Sequence, residues 1–309
     1  FSLNNRWVPL YNIHKLFAGL RDVCVNTKSE QAQRMLIGLT DWWIATTANL
    51  TDEQVQQMLV SEHGGLNEVF ADVYAISGDS KYLDLAQRFS HNAILQPLIA
   101  DTNTLTGLHA NTQIPKVIGY KRYADLSGNA DWDSAAHRFW SYVVDGRTVS
   151  IGGNSVCEHF HPANNFTSMI SSEQGPETCN SYNMLRLTKM LFLSDPQPRY
   201  LNYYERTMYN HILSSQRTGE GGFVYFTPMR PQHYRVYSQP QECFWCCVGS
   251  GLENHARYGE MIYAHTDNSL YINMFTASQV NWHDHNVRLK QTTGFPYQDF
   301  TEITVGTVD

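Results

Sequence analysis

The stretch FWCCVGSGLENH, Phe244 to His255, sets two thiols, Cys246 and Cys247, side by side ahead of a glycine-rich turn. Adjacent residues rarely reach the side-chain geometry of a disulfide, so a shared third partner such as a metal ion accounts better for the pair. Far upstream, Glu177-Thr178-Cys179 supplies a carboxylate and a third thiol. Glu177, Cys179, Cys246 and Cys247 together are four groups of the kind zinc prefers. Two other arrangements stay open. Cys243 forms a CxxC with Cys246, which could be an all-cysteine structural site or a redox pair. Alternatively, the thiols are unliganded core residues. The six cysteines, at 24, 157, 179, 243, 246 and 247, are too few and too unevenly placed for the disulfide framework of a small secreted domain.

A further carboxylate stands in IGGNSVCEHFHP, where Glu158 follows a Gly-Gly turn and is flanked by His159 and His161. A carboxylic acid in a pocket can act as a general acid, whereas an isolated Glu is more often a surface residue.

These groups are scattered, and an internal repeat suggests how they are gathered. SGDSKYLDLAQRF, Ser77 to Phe89, aligns without a gap on SGNADWDSAAHRF, Ser127 to Phe139, and LSDPQPRYLNYYERT keeps the aromatic-to-Arg spacing with Tyr200 and Arg206. In each copy an apolar-periodic helix, a Gly, Asn or Pro turn and a second periodic helix follow one another, which predicts stacked helix hairpins. The first helix of each hairpin opens on a polar group. His63 lies fourteen residues before Ser77, His109 eighteen before Ser127, and Glu177 seventeen before Ser194; His14 sits thirteen before Thr27 in a looser hairpin. If the hairpins close into a toroid, these openings face one end and converge on a pocket. Taken singly, each His would be a helix cap or a satisfied core residue.

After about residue 262 the texture changes to short apolar runs with period-two alternation, in SLYINMFTASQVNW, HNVRLKQTTGF and FTEITVGTV. The expected organisation is therefore mainly α, with a helical catalytic domain over 1–262 and the beginning of a β domain over 263–309. Phe1 enters a helical pattern at once and the last residues stop inside a strand pattern, so the sequence is expected to be a piece of a longer protein. A formal charge of −7 without any dense Lys/Arg run argues against nucleic acid or an anionic membrane as partner. No apolar run approaches the roughly 18 residues of a membrane span. An aromatic content of 13%, with seven Trp and eighteen Tyr, suggests carbohydrate or other stacking surfaces.

LYNIHKLFAGLRD near the start, EHGGLNE from Glu62, ETC at Glu177, FVYFTPM from Phe223 and CCVGSGLENHARYG from Cys246 resemble glycoside hydrolase families 127 and 146, which include β-L-arabinofuranosidases. The resemblance runs from about residue 7 to residue 265. It implies an (α/α)6 barrel followed by a β-sandwich domain, and a retaining mechanism that releases L-arabinofuranose from arabinose-containing oligo- or polysaccharides. Carried over by motif, Glu177, Cys179, Cys246 and Cys247 would hold Zn2+, Cys246 would be the nucleophile and Glu158 the acid/base, while His14, His63, His109 and Tyr225 would line the sugar subsite. The segment between Glu158 and Glu177 is longer than in well-known members, and Thr227 stands where Asn is common. Two other readings compete: a sugar epimerase of (α/α)6 fold using histidine acid/base pairs, and a non-catalytic glycan-binding protein with structural zinc.

Overall fold

The repeat has a local cause. In the computed structural model, which describes residues 3–308, Gly78 and Gly128 both adopt left-handed backbone, φ 76° and 72°, and close the helices Leu66–Ser77 and Ala110–Ser127. Glycine carries no Cβ penalty there, so the chain can reverse at once. The next residue starts the following helix: the Asn129 side chain accepts from the Asp131 and Trp132 amides, and Asp79 accepts from the Lys81 amide at 3.1 Å. The repeated arginines stop a neighbouring segment. Arg88 donates to the carbonyls of Thr47 and Leu50, and Arg138 to those of Leu98 and Ile99, adding donors where a helix end leaves carbonyls short of them. In the third copy Asp195 is extended and Pro198 opens the second helix. That turn is built by proline instead of glycine, which explains the weaker match.

The helices in order are α1 Pro9–Thr27, α2 Glu30–Thr47, α3 Asp52–Met58, α4 Leu66–Ser77, α5 Lys81–Arg88, α6 Asn92–Ile99, α7 Ala110–Ser127, α8 Ala130–Arg147, α9 Thr167–Ser171, α10 Thr178–Ser194, α11 Pro198–Thr207 and α12 Cys246–His255. Four hairpins result: α1 with α2, α4 with α5, α7 with α8, and α10 with α11. Their first helices pack side by side in the order α1, α4, α7, α10. This is the inner layer. In α7, thirteen of eighteen residues are buried, including Lys116 and Lys121, so the helix is enclosed all round instead of presenting one apolar stripe. An ionic cluster ties the four inner helices together: Arg21 on α1 and Arg122 on α7 bind Asp72, and Arg21 and Arg186 on α10 reach Glu68.

Much of the aromatic content is structural. Phe17, Trp43, Phe70 and Phe89 form a cluster with centroids 5.4–6.3 Å apart, and Trp140 packs edge-on against Tyr200 at 4.8 Å and Tyr203 at 5.7 Å. Such contacts contribute about 0.5–1.5 kcal/mol each beyond burial. The first cluster joins inner to outer helices and the second joins the outer helices α8 and α11; these buried rings are closed to a glycan.

Two compact units make up the chain, Phe1–Val248 and Gly249–Asp309. The second contains the antiparallel pair β1 Tyr263–His265 and β2 Leu270–Ile272, and an antiparallel sheet in the order β3 Ser278–Trp282, β4 Val287–Thr292, β5 Glu302–Thr307. Leu289 faces its interior, and the buried Gln291 donates to the Met274 carbonyl at 3.1 Å.

Candidate active site and metal centre

Helix starts and the segments that pair with them assemble the site. Glu177 is the N-cap of α10 with an extended backbone, which turns its side chain off the helix, and Cys179 follows within the first turn. The segment 223–227 runs against this start: the Thr178 amide donates to the Tyr225 carbonyl at 2.9 Å, and the Thr227 amide to that of Pro176 at 2.9 Å. The Thr178 hydroxyl adds a bond to the Val224 carbonyl at 2.7 Å. Tyr225 is thereby fixed beside the thiols. Cys246 and Cys247 are the first two residues of α12.

The four groups meet. One ligand atom from each of Glu177, Cys179, Cys246 and Cys247 lies within 4.8 Å of all the others. The Cys179 and Cys247 sulfurs are 3.2 Å apart, and Glu177 Oε1 is 4.0 Å from the sulfurs of both Cys246 and Cys247. Zinc–sulfur bonds of about 2.3 Å in a tetrahedron place sulfurs about 3.8 Å apart. The 3.2 Å sulfur–sulfur contact is within about 0.6 Å of that edge.

Charge gives a second test of fit. Burial pushes the Glu177 carboxyl well up, and the Cys246 thiolate and Glu158 push it further. Burial also raises Cys247 well above an ordinary thiol, while Cys179 is raised first by its bonds to Cys246 and Cys247 and then by burial. Cys246 goes the other way. Bonds from Cys179 and Cys247, with help from Tyr225 and the Cys247 amide, outweigh burial and hold it at about 3. The protein alone thus stabilises one negative charge among four potential anions, and Glu177 Oε2 is buried with no hydrogen-bond partner. A divalent cation would relieve both conditions, so the donor set fits a metal. Cys243, half-buried, lies outside the group, as do Cys24 and Cys157.

The two adjacent thiols differ in access. Cys247 and Cys179 are buried, and Cys246 is exposed. Tyr225 stands between Cys246 and the other catalytic candidate: its hydroxyl donates to Glu158 Oε1 and lies beside the Cys246 sulfur, so its one proton can serve either group. Glu158 sits in the irregular segment before α9, at φ +67°. Its carbonyl accepts from the Ala110 amide at 2.7 Å, and Cys157 is tied to the Gln174 carbonyl at 2.9 Å, so the strained residue is held from both sides. Glu158 Oε2 stands 3.7 Å from His109 Nε2.

Of the three histidines, His109 is the one in contact with this group. His109 is the N-cap of α7, and its Nδ1 accepts from the Thr112 amide at 3.3 Å. Burial lowers its pKa, partly offset by Glu158. His63 precedes α4 by three residues and is fully buried. His14 lies inside α1, not at its opening as the hairpin register suggested, because α1 starts at Pro9. It packs on the turn at Gly64 and Gly65. Burial, then Lys15, depresses His14 to about 3.

Sequence reasoning passed over several neighbours. Tyr11 is one turn before His14 on α1, and its hydroxyl feels Cys179, Glu62, Cys246 and Glu177; the i, i+3 spacing was the available signal. Trp245 packs edge-on to Tyr225 at 5.9 Å. Thr227, which the sequence did single out, is buried with a hydroxyl that has no hydrogen-bond partner among the described residues.

Comparison with known proteins places this geometry. Residues 1–260 match the catalytic domain of GH127 β-L-arabinofuranosidases, and 269–309 match the middle domain of the same group. The chain belongs to the GH127 family. Among solved structures, a GH127 β-L-arabinofuranosidase from Geobacillus stearothermophilus T6 is similar, with TM-score 0.76 and 17% identity over 96% of this chain and 53% of that one. A second, described as a GH127 β-arabinofuranosidase, aligns with TM-score 0.64 and 21% identity over 78% of this chain and 39% of its own. The chain therefore spans about half, or less, of the length of these relatives. A D-mannose isomerase aligns more loosely, with TM-score 0.52 and 11% identity over 80% of this chain and 71% of that one. These likenesses establish the fold, the mainly helical (α/α)6-barrel class with small sheets after it. No curated protein matches the chain.

Proposed function

We propose that this GH127 chain is the catalytic part of a retaining glycoside hydrolase that releases L-arabinofuranose from arabinose-containing glycans, with Cys246 as nucleophile and Glu158 as acid/base. The observation that carries the reading is the asymmetry of the thiols: of the three that cluster with Glu177, only Cys246 is exposed, and the Tyr225 hydroxyl joins it to Glu158. Glu177, Cys179, Cys246 and Cys247 would hold zinc, which when bound would keep the thiols deprotonated and compensate their charge.

In the first step the Cys246 sulfur attacks the anomeric carbon, the glycosidic C–O bond breaks, and Glu158 gives its proton to the departing oxygen. In the second, Glu158 takes a proton from water as that water displaces the sulfur, which restores the thiolate and retains the anomeric configuration. One carboxylate and one thiol replace the usual two carboxylates. Tyr225 orients both groups, and the neutral His14, His63 and His109 offer hydrogen bonds to the sugar hydroxyls. The segments 1–262 and 263–309 would correspond to the barrel and the start of the β-sandwich domain.

The test is turnover of p-nitrophenyl β-L-arabinofuranoside by the full-length protein, with metal content measured on the same preparation. Release of the free sugar with about one zinc per chain is expected. Binding without turnover, or full activity in Cys246→Ser, would refute the assignment.

A further inference from the structure

The residue proposed as acid/base sits on a backbone that its own sequence does not favour. Within Ser155-Val156-Cys157-Glu158, three residues adopt left-handed φ, Ser155 at +75°, Cys157 at +47° and Glu158 at +67°, and none is glycine. Such residues persist only where their surroundings over-determine them. The segment before them is clamped by close approach. Gly152 lies so near the end of α11 that an added Cβ would stand 2.6 Å from Thr207 Cα, and one on Gly153 would stand 2.5 Å from Pro176 Cβ. The Tyr203 hydroxyl donates to the Gly152 carbonyl at 3.2 Å. At the other end, the Cys157 amide donates to the Gln174 carbonyl and the Ala110 amide to that of Glu158.

Between these ends the segment is anchored through a side chain. Asn180 Nδ2 donates to Ser155 Oγ at 2.6 Å, and both residues are fully buried. Asn180 belongs to the first turn of α10, directly after Cys179. Successive helix positions point about 100° apart, so the helix start that aims Cys179 at the thiol cluster aims Asn180 at the segment leading to Glu158. Ser181, next along, has its hydroxyl 2.7 Å from Nδ1 of the buried His211, which braces the same turn against Met208–Ile212.

We propose that Asn180 is a positioning residue for the acid/base: through the buried hydroxyl of Ser155 it ties the left-handed segment 155–158 to the helix start that carries Glu177 and Cys179, and so sets where the Glu158 carboxyl stands relative to the Cys246 sulfur. The inference rests on the glycosidase reading for the role of Glu158, and that reading gives Asn180 and Ser155 no part. Tyr225 holds the tip of the Glu158 side chain, and Asn180 holds the backbone that leads to it. Without the tie, Ser155 and Cys157 relax towards ordinary φ and the carboxyl moves; a misplacement of about 1 Å can cost about 100-fold in rate. The loss falls on proton transfer to the departing oxygen and spares the attack of sulfur.

The test is a ratio of two kcat/KM values on one preparation of the metal-loaded full-length protein. Dinitrophenyl β-L-arabinofuranoside has a leaving group that departs without a proton, and the phenyl glycoside has one that needs it. Asn180→Ala and Ser155→Gly should each lower kcat/KM for the phenyl glycoside by about 10- to 100-fold and for the dinitrophenyl glycoside by less than about threefold. A variant that is merely less folded loses both equally, and the ratio stays put. The double variant should lose no more than the worse single one, since both remove the same bond. Glycine takes the φ of Ser155 without strain, so Ser155→Gly decides if Asn180→Ala does not fold. A second arm needs no turnover: hydrogen exchange followed by mass spectrometry should be faster over 152–160 in Asn180→Ala, with metal content unchanged. An unchanged ratio, unchanged exchange over 152–160, or loss of metal from Asn180→Ala overturns the proposal. If the wild type cleaves neither glycoside, the glycosidase reading falls, and the exchange arm alone decides whether Asn180 holds the segment.

Discussion

Removing the Tyr225 hydroxyl tests the link between the nucleophile and the acid/base. In Tyr225→Phe the ring keeps its packing on Phe226, at 4.3 Å, and on Trp245, at 5.9 Å, so the backbone bridge of 223–227 to the start of α10 stays intact. What is lost is the bond to Glu158 and the bond to the Cys246 sulfur. Hydrogen bonds to charged groups contribute roughly 1.5–3 kcal/mol each. The two share one hydroxyl, so their losses are not additive. The one proton serves one acceptor at a time, so the expected loss is that of about one such bond, or about 10- to 150-fold in kcat/KM at about 1.4 kcal/mol per tenfold. If Glu158 acts in both steps as proposed, aryl arabinofuranosides with good and poor leaving groups should both slow, the poor ones more. The assay is a leaving-group series with zinc content and melting temperature measured alongside. Rates within twofold of the wild type would show that Tyr225 does not join the two groups. Loss of metal from the variant would make it a support of the ligand cluster instead.

The adjacent thiols should separate: Cys246→Ser keeps the fold and the metal but loses nearly all turnover, and Cys247→Ser loses metal and activity together, as metal analysis and kinetics on each variant would show. Gly64→Ala should abolish sugar binding and destabilise by about 1–3 kcal/mol, since Gly64 has φ +58° and an added Cβ would stand 2.4 Å from His14 Nδ1; denaturation midpoints and KM check this, and a wild-type midpoint would count against it. Burial, with a smaller push from Arg235, depresses His211 from 6.5 to about 3. The unfolded chain therefore takes up a proton below pH 6.5 that the folded one refuses, and stability falls as pH drops from 6.5 towards 3. His211 alone should account for about 2 kcal/mol of the loss by pH 5. Urea titrations of His211→Gln at pH 7.5 and 5 should show a correspondingly smaller difference between the two pH values, and an equal difference would contradict the assignment.

How far the sequence revealed this depends on whether a residue's role is local. The hairpins were legible because their turns are built by single residues: Gly78 and Gly128 close a helix in left-handed backbone, and Asn129 caps the next. The cluster that could hold a metal was legible for a similar reason, since Glu177 and Cys179 belong to one helix start and Cys246 and Cys247 to another. The position of His14 was misjudged because nothing local marks where along α1 the pocket begins; it is set by the contact with Gly64 across the inner layer. The burial of Lys116 was invisible for the same cause. A lysine in an amphipathic pattern reads as solvated surface, and only the enclosure of α7 on every side buries it.

The adjacency of Cys246 and Cys247 then has a geometric reason. Consecutive residues on a helix point about 100° apart, so a pair at the start of α12 sends one sulfur inward and leaves the other facing outward, which is the burial observed. Two residues apart or more along an extended segment would not hold both sulfurs close to one carboxylate while separating their access to solvent. The helix start also leaves backbone N–H groups without intrahelical partners, and the Cys247 amide is among the donors that favour the Cys246 thiolate. On the proposed mechanism Cys246 would be both ligand and nucleophile, which needs both conditions: close enough to share the cage, and open enough to be reached. The pair meets them with adjacent residues, while Cys179 and Glu177, approaching from the start of α10, close the buried side.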